Sequence, residues 1–491
     1  MFYYMIKYAD KVTSPEKILK DVKLMNSFGP RLTGNMGHRN FIRYLKKELM
    51  KRGLDVYSDP FRFKRWEEKD SSFKIEGEEI HISSVFPYSG RTDEDGVTAE
   101  LVHVDDKRLG YLNAKGKIAV VGVDELNFLP SEIAFDKRSS LPEDVTIPEK
   151  YDGPVATAFV NFPFLKAAKA CGAKAVVCIW KGMSDKRIDG QYLPFILPYQ
   201  GIPAIWVNES DGEKVLEAAK EHKVANLKLV AEKERSAVTE TFYTILEGKN
   251  TKEAIIINTH TDGTNCIEEN GPIALLNMID YFRDKELERN LIFVFVSGHF
   301  RLPSFKTIAG GGVQATSKWL AMHRDLWDGI GGHTKAVAGV AVEHLGCKMF
   351  KDVDGEYKQV GDIETELSYT GNDTLDKLYL DCVKERDRYR VITMRGHNFL
   401  HFGEGQPLFN CGIPDIALVT APDCLCAVSD NDEMDKFDEE LMYEQVDMFI
   451  NVVERLLKMS AGQIGPCDGY SMITLGKKSP KSLLNRLRHK R

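Results

Sequence analysis

The sequence lacks the features of a membrane or secreted protein. Its longest apolar runs, AIIIN and LIFVFVSG, have the length of a strand and are far too short to span a bilayer. The first residues, MFYYMIKYADKVTSPEK, contain neither the apolar core nor the small-residue cleavage site of a signal peptide. We therefore expect no membrane association and a location in the cytoplasm.

A disulfide framework is also missing. The nine cysteines are an odd number and are scattered singly, apart from Cys424 and Cys426 in the triplet CLC. Free cysteines usually behave as small core residues. A reducing compartment, again the cytoplasm, is the expected environment.

Motifs of several other chemistries are absent. There is no Gly-x-Ser-x-Gly elbow and no Cys-x-x-Cys pair, which argues against a serine hydrolase or a zinc finger. The glycine-rich AGGG at 309–312 lacks the Lys-Ser/Thr of a phosphate loop. A net charge of -7 on 491 residues is modest and predicts no nucleic-acid partner.

The composition is that of a globular protein with a sizeable core, at 43% hydrophobic and 28% charged residues. The length suggests two or three domains. From Thr239 onward, near-continuous apolar strands alternate with helices, beginning with EAIIINTHTDG and GPIALLNMIDYFRD. This alternation predicts an α/β fold with a mostly parallel mixed sheet and helices on both faces.

Polar residues trail three of these strands. They are His260 and Asp262, then His299, then Glu343 and His344. In open α/β sheets, ligands bind beyond the carboxyl ends of the strands. We therefore expect these side chains to converge at one edge of the sheet.

The order of the segments resembles that of the zinc-dependent aminopeptidase and glutamate carboxypeptidase family, peptidase family M28, with its inserted protease-associated domain. The resemblance covers nearly all of residues 15–460 and rests on GPRLTGNMGHRNFIRYLKKELMKRGLDV, GKIAVVG, KAAKACGAKAVVCIW, GIPAIWVNESDGEKVLEAA, IIINTHTDG, NGPIALLNMI, LIFVFVSGHF, VAVEHLG and FNCGIPDIALVTAP. It implies a peptidase-like α/β domain at residues 1–82 and 235–460, and a β-rich α+β protease-associated domain at 83–234. Residues 461–491 are expected to form a basic tail, either a solvated terminus or a segment that meets an anionic partner or a membrane surface.

By this resemblance, two zinc ions share a bridging carboxylate and a bridging water, and a glutamate takes the proton of that water. Zinc binds carboxylate and imidazole groups, and lowers the pKa of its bound water to about 7. His260 matches the first zinc ligand, and Asp262 matches the carboxylate that orients it. Asp262 also counts as a candidate ligand, and Glu343 matches a further acidic one.

Other positions depart from the pattern of the family. The bridging carboxylate falls on Glu268 or Glu269, where the family usually has aspartate. Two adjacent glutamates of the family are replaced in FVFVSGHF, where His299 could ligate metal or act as the base. The last histidine ligand of the family aligns near Val428, which cannot bind metal. Three residues of the loop RGHNFLHFGEGQPLFN could substitute for it: His397, His401 and Glu404.

The retained and replaced positions together favour a remodelled metal site over a lost one. We expect zinc or another divalent transition metal, as one or two ions. The leading hypothesis is an aminopeptidase-like hydrolase of a peptide or small amide bond, with His299 and Asp262 as catalytic residues. The alternative is a non-catalytic relative that uses the same cleft for binding or assembly. The sequence does not identify a substrate, and a homodimer is compatible with this fold.

Overall fold

The computed structural model describes residues 13–105, 110–127, 130–131, 135–304, 314–396, 401–469, 471–472 and 477–478. The strands in this part of the chain are β1 (Tyr57–Ile75), β2 (Glu78–Ile80), β3 (Ser84–Val85), β4 (Val97–His103), β5 (Ile118–Asp124), β6 (Asp136–Leu141), β7 (Ala175–Lys181), β8 (Ala204–Val207), β9 (Val224–Leu246), β10 (Asn250–His260), β11 (Arg289–Val296), β12 (Lys335–Glu343), β13 (Met349–Val353), β14 (Glu356–Gly361), β15 (Glu366–Thr370), β16 (Val391–Arg395), β17 (Asp415–Val419), β18 (Ser471–Met472) and β19 (Lys477–Lys478).

The helices described are α1 (Pro15–Asn26), α2 (Met36–Lys51), α3 (Gly153–Val160), α4 (Leu165–Ala170), α5 (Asp185–Ile188), α6 (Glu209–Lys220), α7 (Gly271–Phe282), α8 (Thr316–Met322), α9 (Asp373–Val383), α10 (Gly405–Asn410), α11 (Glu439–Lys458) and α12 (Ala461–Ile464). Short 3-10 turns lie at Gly110–Ala114, His299–Ser304, Arg324–Leu326 and Met434–Lys436. Among these helices, none is long and apolar enough to cross a membrane.

One large mixed sheet runs through the described residues in the order β3-β8-β7-β5-β4-β9-β11-β10-β12-β17-β15-β16-β6, with β1 and β2 attached beside β9. The four neighbouring strands β11, β10, β12 and β17 are parallel. Strand β10 pairs in parallel with both β11 and β12, and β12 pairs in parallel with β17. The prediction of an α/β fold with a large, mostly parallel sheet is confirmed. Three neighbouring strands therefore end at the same edge.

Both faces of the central strands are covered. Along β10, Ile255 and Ile257 pack into one hydrophobic core, and the alternate residues Ala254 and Ile256 pack into another. The first core includes residues of α7 and α11, and the second includes Trp319 of α8. Since successive side chains of a strand point to opposite faces, an uninterrupted apolar strand requires this double cover.

Strands β1 and β9 form a long antiparallel ribbon, paired from Tyr57 with Tyr243 to Ile75 with Ala225. Within the segment 83–234, β4 joins β9, and β5, β7 and β8 extend the sheet from there. Strand β6, from the same segment, instead pairs with β16 at the far edge of the sheet. The segment thus meets the rest of the chain at two separate places.

Helix α7 begins directly behind the ends of β10 and β12, and this close approach depends on Gly271. A Cβ atom added at Gly271 would overlap the hydroxyl of Thr259 and the backbone carbonyl of Val342. Only a hydrogen atom fits between the helix and the two strands. The turn that precedes α7 carries Glu268, so this packing also positions a candidate site residue.

We expect Gly271→Ala to lower the free energy of unfolding by about 1–3 kcal/mol, because an added methyl group in a packed core forces its neighbours apart. Chemical denaturation followed by circular dichroism measures the loss. Gly462→Ala is the control, since its new Cβ would meet only the Ser460 hydroxyl, at 4.0 Å. Equal stability of the two variants would contradict the packing argument.

Candidate metal centre

Five side chains meet at the carboxyl edge of the parallel strands. His260 is the last residue of β10, Glu343 is the last of β12, and His344 follows it. His299 comes after β11, and Glu268 precedes α7. None of the five is more than 7% exposed. The sheet topology thus gathers imidazole and carboxyl groups from distant parts of the chain at one buried point.

Two of the histidines present an unprotonated nitrogen to this point. Nδ1 of His260 donates a hydrogen bond to the backbone carbonyl of Asp262 at 2.9 Å, and Nδ1 of His344 donates to that of Thr420 at 2.7 Å. Nε2 of each ring is buried without a hydrogen-bond partner. Burial and the neighbouring His299 lower the pKa of His344 to about 3, and the pKa of His260 also lies well below its ordinary value. Both rings are therefore neutral and have a free lone pair, which is the state that binds metal.

Two carboxyl groups face the same nitrogens. Oε2 of Glu343 lies 3.9 Å from Nε2 of His260 and 4.0 Å from Nε2 of His344. Oε1 of Glu268 lies 3.8 Å from Nε2 of His344. Burial raises the pKa of Glu343 to about 8, and burial beside Glu269 raises that of Glu268 well above its usual range.

These distances fit a shared cation. Two ligands of one zinc ion lie at most about 4.2 Å apart, since each bond is about 2.1 Å long. His260, Glu268 and His344 offer ligand atoms that all lie within 4.8 Å of one another, so a pair wider than about 4.2 Å would move closer when an ion binds. Oε2 of Glu268 and Oε2 of Glu343 are buried without partners, so a divalent cation would satisfy groups that protein atoms leave unsatisfied. The residues present fit a metal ion.

His299 is held beside this cluster by a carboxylate. Its ring stacks on that of His260 with centroids 4.2 Å apart, and its Nδ1 donates to Oε1 of Glu404 at 2.9 Å. Nε2 of His299 lies 3.7 Å from Oε1 of Glu268. Burial opposes the charged form of His299, but the hydrogen bond and charge of Glu404 outweigh it and raise the pKa of His299. The carboxylate thus orients His299 so that its second nitrogen faces the cluster.

Both carboxylate oxygens of Glu404 accept hydrogen bonds from other protein groups. Its carboxylate also accepts hydrogen bonds from the backbone N–H groups of Ala315, at 3.1 Å, and Thr316, at 2.7 Å. Its own N–H donates to Oε1 of Glu343 at 2.5 Å. The sequence suggested Glu404 as a substitute ligand. The structure instead places it behind His299 and Glu343, where it supports both.

The carboxylate of Asp262 points away from His260. It accepts hydrogen bonds from the hydroxyl of Thr33 and from the backbone N–H groups of Gly298 and Phe300, the last two at 3.1 Å. The backbone carbonyl of Asp262, not its carboxylate, fixes the tautomer of His260. Asp262 therefore holds the loop that carries His299, and we do not include it among the proposed ligands.

The two adjacent glutamates have different partners. Glu268 faces the histidines, whereas Glu269 forms a fully buried ion pair with Arg31. Arg31, which holds Glu269 in this pair, lies 238 residues away from it along the chain. Glu269 is accordingly left out of the proposed ligand set.

Comparisons with known proteins agree with this architecture. No protein-family profile and no curated protein sequence matches the chain. Among solved structures, the zinc aminopeptidase BSAP from Bacillus subtilis superposes with a TM-score of 0.62 at 16% identity, covering 92% of this chain and 97% of that chain. The aminopeptidase from Aneurinibacillus sp. strain AM-1 has a TM-score of 0.59 at 17% identity, covering 94% and 96%. A peptidase M28 precursor from Shewanella amazonensis SB2B has a TM-score of 0.60 at 15% identity, covering 91% and 96%.

The chain has the zinc aminopeptidase fold. The resemblance inferred from the sequence is confirmed at this level, over nearly the whole chain. At such low identity the likeness concerns the course of the backbone. What the site can do depends on the residues present in this chain.

On this zinc aminopeptidase fold, His344 joins the cluster, although the sequence analysis did not name it as a candidate ligand. Adjacent residues of a strand normally point to opposite faces, so Glu343 and His344 would be expected to diverge. His344 has a φ of 56°, which interrupts the strand geometry and turns its ring toward Glu343. The sequence feature that could have indicated this position is the histidine directly after an acidic residue at the end of β12.

Of the other two suggested substitute ligands, only His401 lies in the part of the chain that the structure describes. His401 stacks on the ring of Tyr369, with centroids 3.9 Å apart, and lines an adjoining cavity. His397 lies outside the described residues.

An apolar cavity of about 490 Å³ opens onto Glu268, His299 and His344. Its wall is mostly aromatic and aliphatic and includes Phe135, Tyr151, Phe159, Phe195, Phe402 and Val419. Four of these six come from the segment 83–234, so that segment covers the cluster and shapes access to it. A ligand in this cavity would place an apolar group against the wall and its polar end at the cluster.

Proposed function

We propose that the protein is a metal-dependent, aminopeptidase-like hydrolase of a peptide or small amide bond. The observation that carries the proposal is the meeting of Nε2 of His260, Nε2 of His344, Oε1 of Glu268 and Oε2 of Glu343 at one buried point. The zinc aminopeptidases that share the fold support it. These four residues would hold a single zinc ion or another divalent transition metal.

Within this proposal each residue has a distinct task. A bound zinc ion would lower the pKa of a water molecule and stabilise the developing oxyanion. His299 would accept the proton of the attacking water at Nε2, since Glu404 occupies its Nδ1. The apolar cavity would hold the side chain of the substrate and exclude water around the scissile bond. We further propose that residues 83–234 act as an inserted protease-associated domain on a peptidase-like body of residues 1–82 and 235–460.

Metal analysis combined with a substrate screen tests the function. We expect purified protein to contain about one zinc ion per chain and to hydrolyse aminoacyl-chromophores of leucine, phenylalanine or methionine faster than those of glutamate or lysine. A chelator should abolish the activity, and added zinc should restore it. Metal bound without hydrolysis of any substrate would favour a non-catalytic binding protein. Absence of metal after titration with zinc, cobalt and manganese would contradict the proposal entirely.

Glu404→Gln tests the orienting role of Glu404. We expect kcat to fall about 10–100-fold with little change in KM, because a neutral amide holds His299 less firmly and supports its charged form less well. Steady-state kinetics separates the two parameters. Glu364→Gln, a buried carboxyl group outside the cluster, is the matched control and should retain full activity. A larger effect on KM than on kcat would contradict an orienting role.

A further inference from the structure

A second cavity lies next to the apolar one and has the opposite character. It is an open cleft of about 950 Å³, and Pro198 lines both cavities. The cleft lies along the ribbon of β1 and β9, at the loop that follows His299. Its lining includes six cationic side chains: Arg62, Lys64, Arg65, Lys233, Arg235 and Arg301. The only acidic lining residue in the described part of the chain is Glu234.

Most of these cations are uncompensated. Arg65 is neutralised by ion pairs with Glu67, Glu232 and Glu234. Of the other five, none forms an ion pair with any residue that the structure describes. Burial and the charges of Arg235 and Arg91 lower the pKa of Lys233. Like charges concentrated in a concave site create a positive potential that attracts anions.

Arg301 is the buried element of the cleft and only 4% exposed. Its guanidinium lies over the ring of Tyr88, 3.7 Å from the centroid, and donates to the backbone carbonyls of Lys64 at 3.1 Å and Leu197 at 3.4 Å. A guanidinium has five N–H donors, so these two bonds leave others for a ligand. A buried charge without an opposite charge is costly, and a bound anion would remove that cost.

Two of the four aromatic side chains that line the cleft have a face covered by a cation. Arg301 lies over Tyr88, and Lys233 lies over Tyr199 with its Nζ 3.5 Å from the ring centroid. A ligand therefore cannot stack on these two faces, and charge is left as the basis of recognition. The walls come from β1, β9, Tyr88, the loop 198–199 and Arg301, and the space of about 950 Å³ between them has room for a small molecule.

We propose that this cleft is a binding site for a small molecule with several negative charges, either a phosphate compound or a polycarboxylate. The site is distinct from the metal centre and shares none of its residues. Arg301 supplies the fixed, desolvated contact, and Lys233, Arg235, Arg62 and Lys64 supply the surrounding charge. Arg301 lies two residues from His299. A ligand bound in the cleft would therefore also affect the loop that carries His299.

Isothermal titration calorimetry on metal-free protein tests the proposal, with inorganic pyrophosphate and citrate as probes at matched ionic strength. Metal-free protein is required because both probes chelate zinc, and it separates this result from any failure of the proposed hydrolase. We expect saturable binding of at least one probe with a Kd below about 1 mM. Tighter binding of pyrophosphate would assign a phosphate compound, and tighter binding of citrate would assign a polycarboxylate.

The double variant Lys233→Gln with Arg235→Gln should weaken binding at least about tenfold, because each charge-assisted hydrogen bond contributes that much or more. Both side chains are exposed, so the variant should fold normally. The matched control is Lys214→Gln with Lys220→Gln on α6, which removes the same charge from exposed positions outside the cleft. Binding of neither probe, or equal weakening in both double variants, would overturn the proposal.

Discussion

His260→Ala is expected to lower the affinity for zinc by at least about 100-fold and to abolish hydrolysis. Loss of an outer partner of a metal ligand already costs about 10–100-fold, so loss of the ligand itself should cost more. Nε2 of His260 is buried without a hydrogen-bond partner and lies 3.9 Å from Oε2 of Glu343. The variant would keep one imidazole and two carboxyl groups, so zinc would lose one of its two nitrogen ligands.

Two measurements check this expectation without relying on turnover. Metal content after dialysis should fall to background in the variant. Zinc should raise the melting temperature of the wild-type protein, because a ligand that binds only the folded state stabilises it, and should have no such effect on the variant. His323→Ala is the control, since His323 pairs with Asp59 at 2.7 Å, away from the cluster. A variant that keeps both metal and thermal response would remove His260 from the site.

Arg31→Met is expected to lower the free energy of unfolding by about 3–5 kcal/mol, because it leaves Glu269 as an uncompensated buried group. Both side chains of the pair are completely buried. Burial raises the pKa of Glu269 to about 7 even though Arg31 opposes the shift. Arg31 also donates to the backbone carbonyls of Met25 and Gly29, so its loss would loosen the segment that packs on the turn before α7.

A double variant separates the effect of losing the ion pair from the effect of losing the packing of the Arg31 side chain. Arg31→Met with Glu269→Gln removes both charges, and we expect it to regain a large part of the lost stability. Lys51→Met is the control, since the side chain of Lys51 is 57% exposed in its pair with Glu48, and such surface pairs contribute about 1 kcal/mol or less. Denaturant titration of all variants measures these differences. A loss in Arg31→Met no larger than that in Lys51→Met would contradict the buried-pair interpretation.

Much of the fold could be predicted from local pattern. Strand β10 is apolar over residues 255–257 and ends in polar residues. This pattern alone indicates a parallel strand that is buried on both faces and has a site at its carboxyl end. Helix α2 begins after Asn35, whose side chain accepts from the N–H of His38, and it buries Phe41, Leu45 and Leu49, whose four-residue spacing places them on one face. Hydrophobic periodicity and helix capping depend on residues close together in the chain, so they can be recognised from the sequence.

The ligand set could be predicted only in part. His260 and Glu343 end regular strands, and the topology alone brings them together. Glu268 and Glu269 lie in an irregular turn, where the direction of a side chain depends on distant partners such as Arg31. Glu404 was a candidate ligand by sequence, but its carboxylate is used by His299 and the start of α8.

By itself, therefore, the sequence determined the order of strands and helices, the cover on both faces of the sheet, and the edge at which polar groups collect. These follow from hydrophobic periodicity, which acts over a few residues. Only the tertiary structure decided that Glu268 faces the cluster, that Asp262 and Glu269 are turned elsewhere, and that cations from three segments form one cleft. Each of these depends on hydrogen bonds, ion pairs or packing between residues far apart in the chain, and local sequence does not encode such contacts.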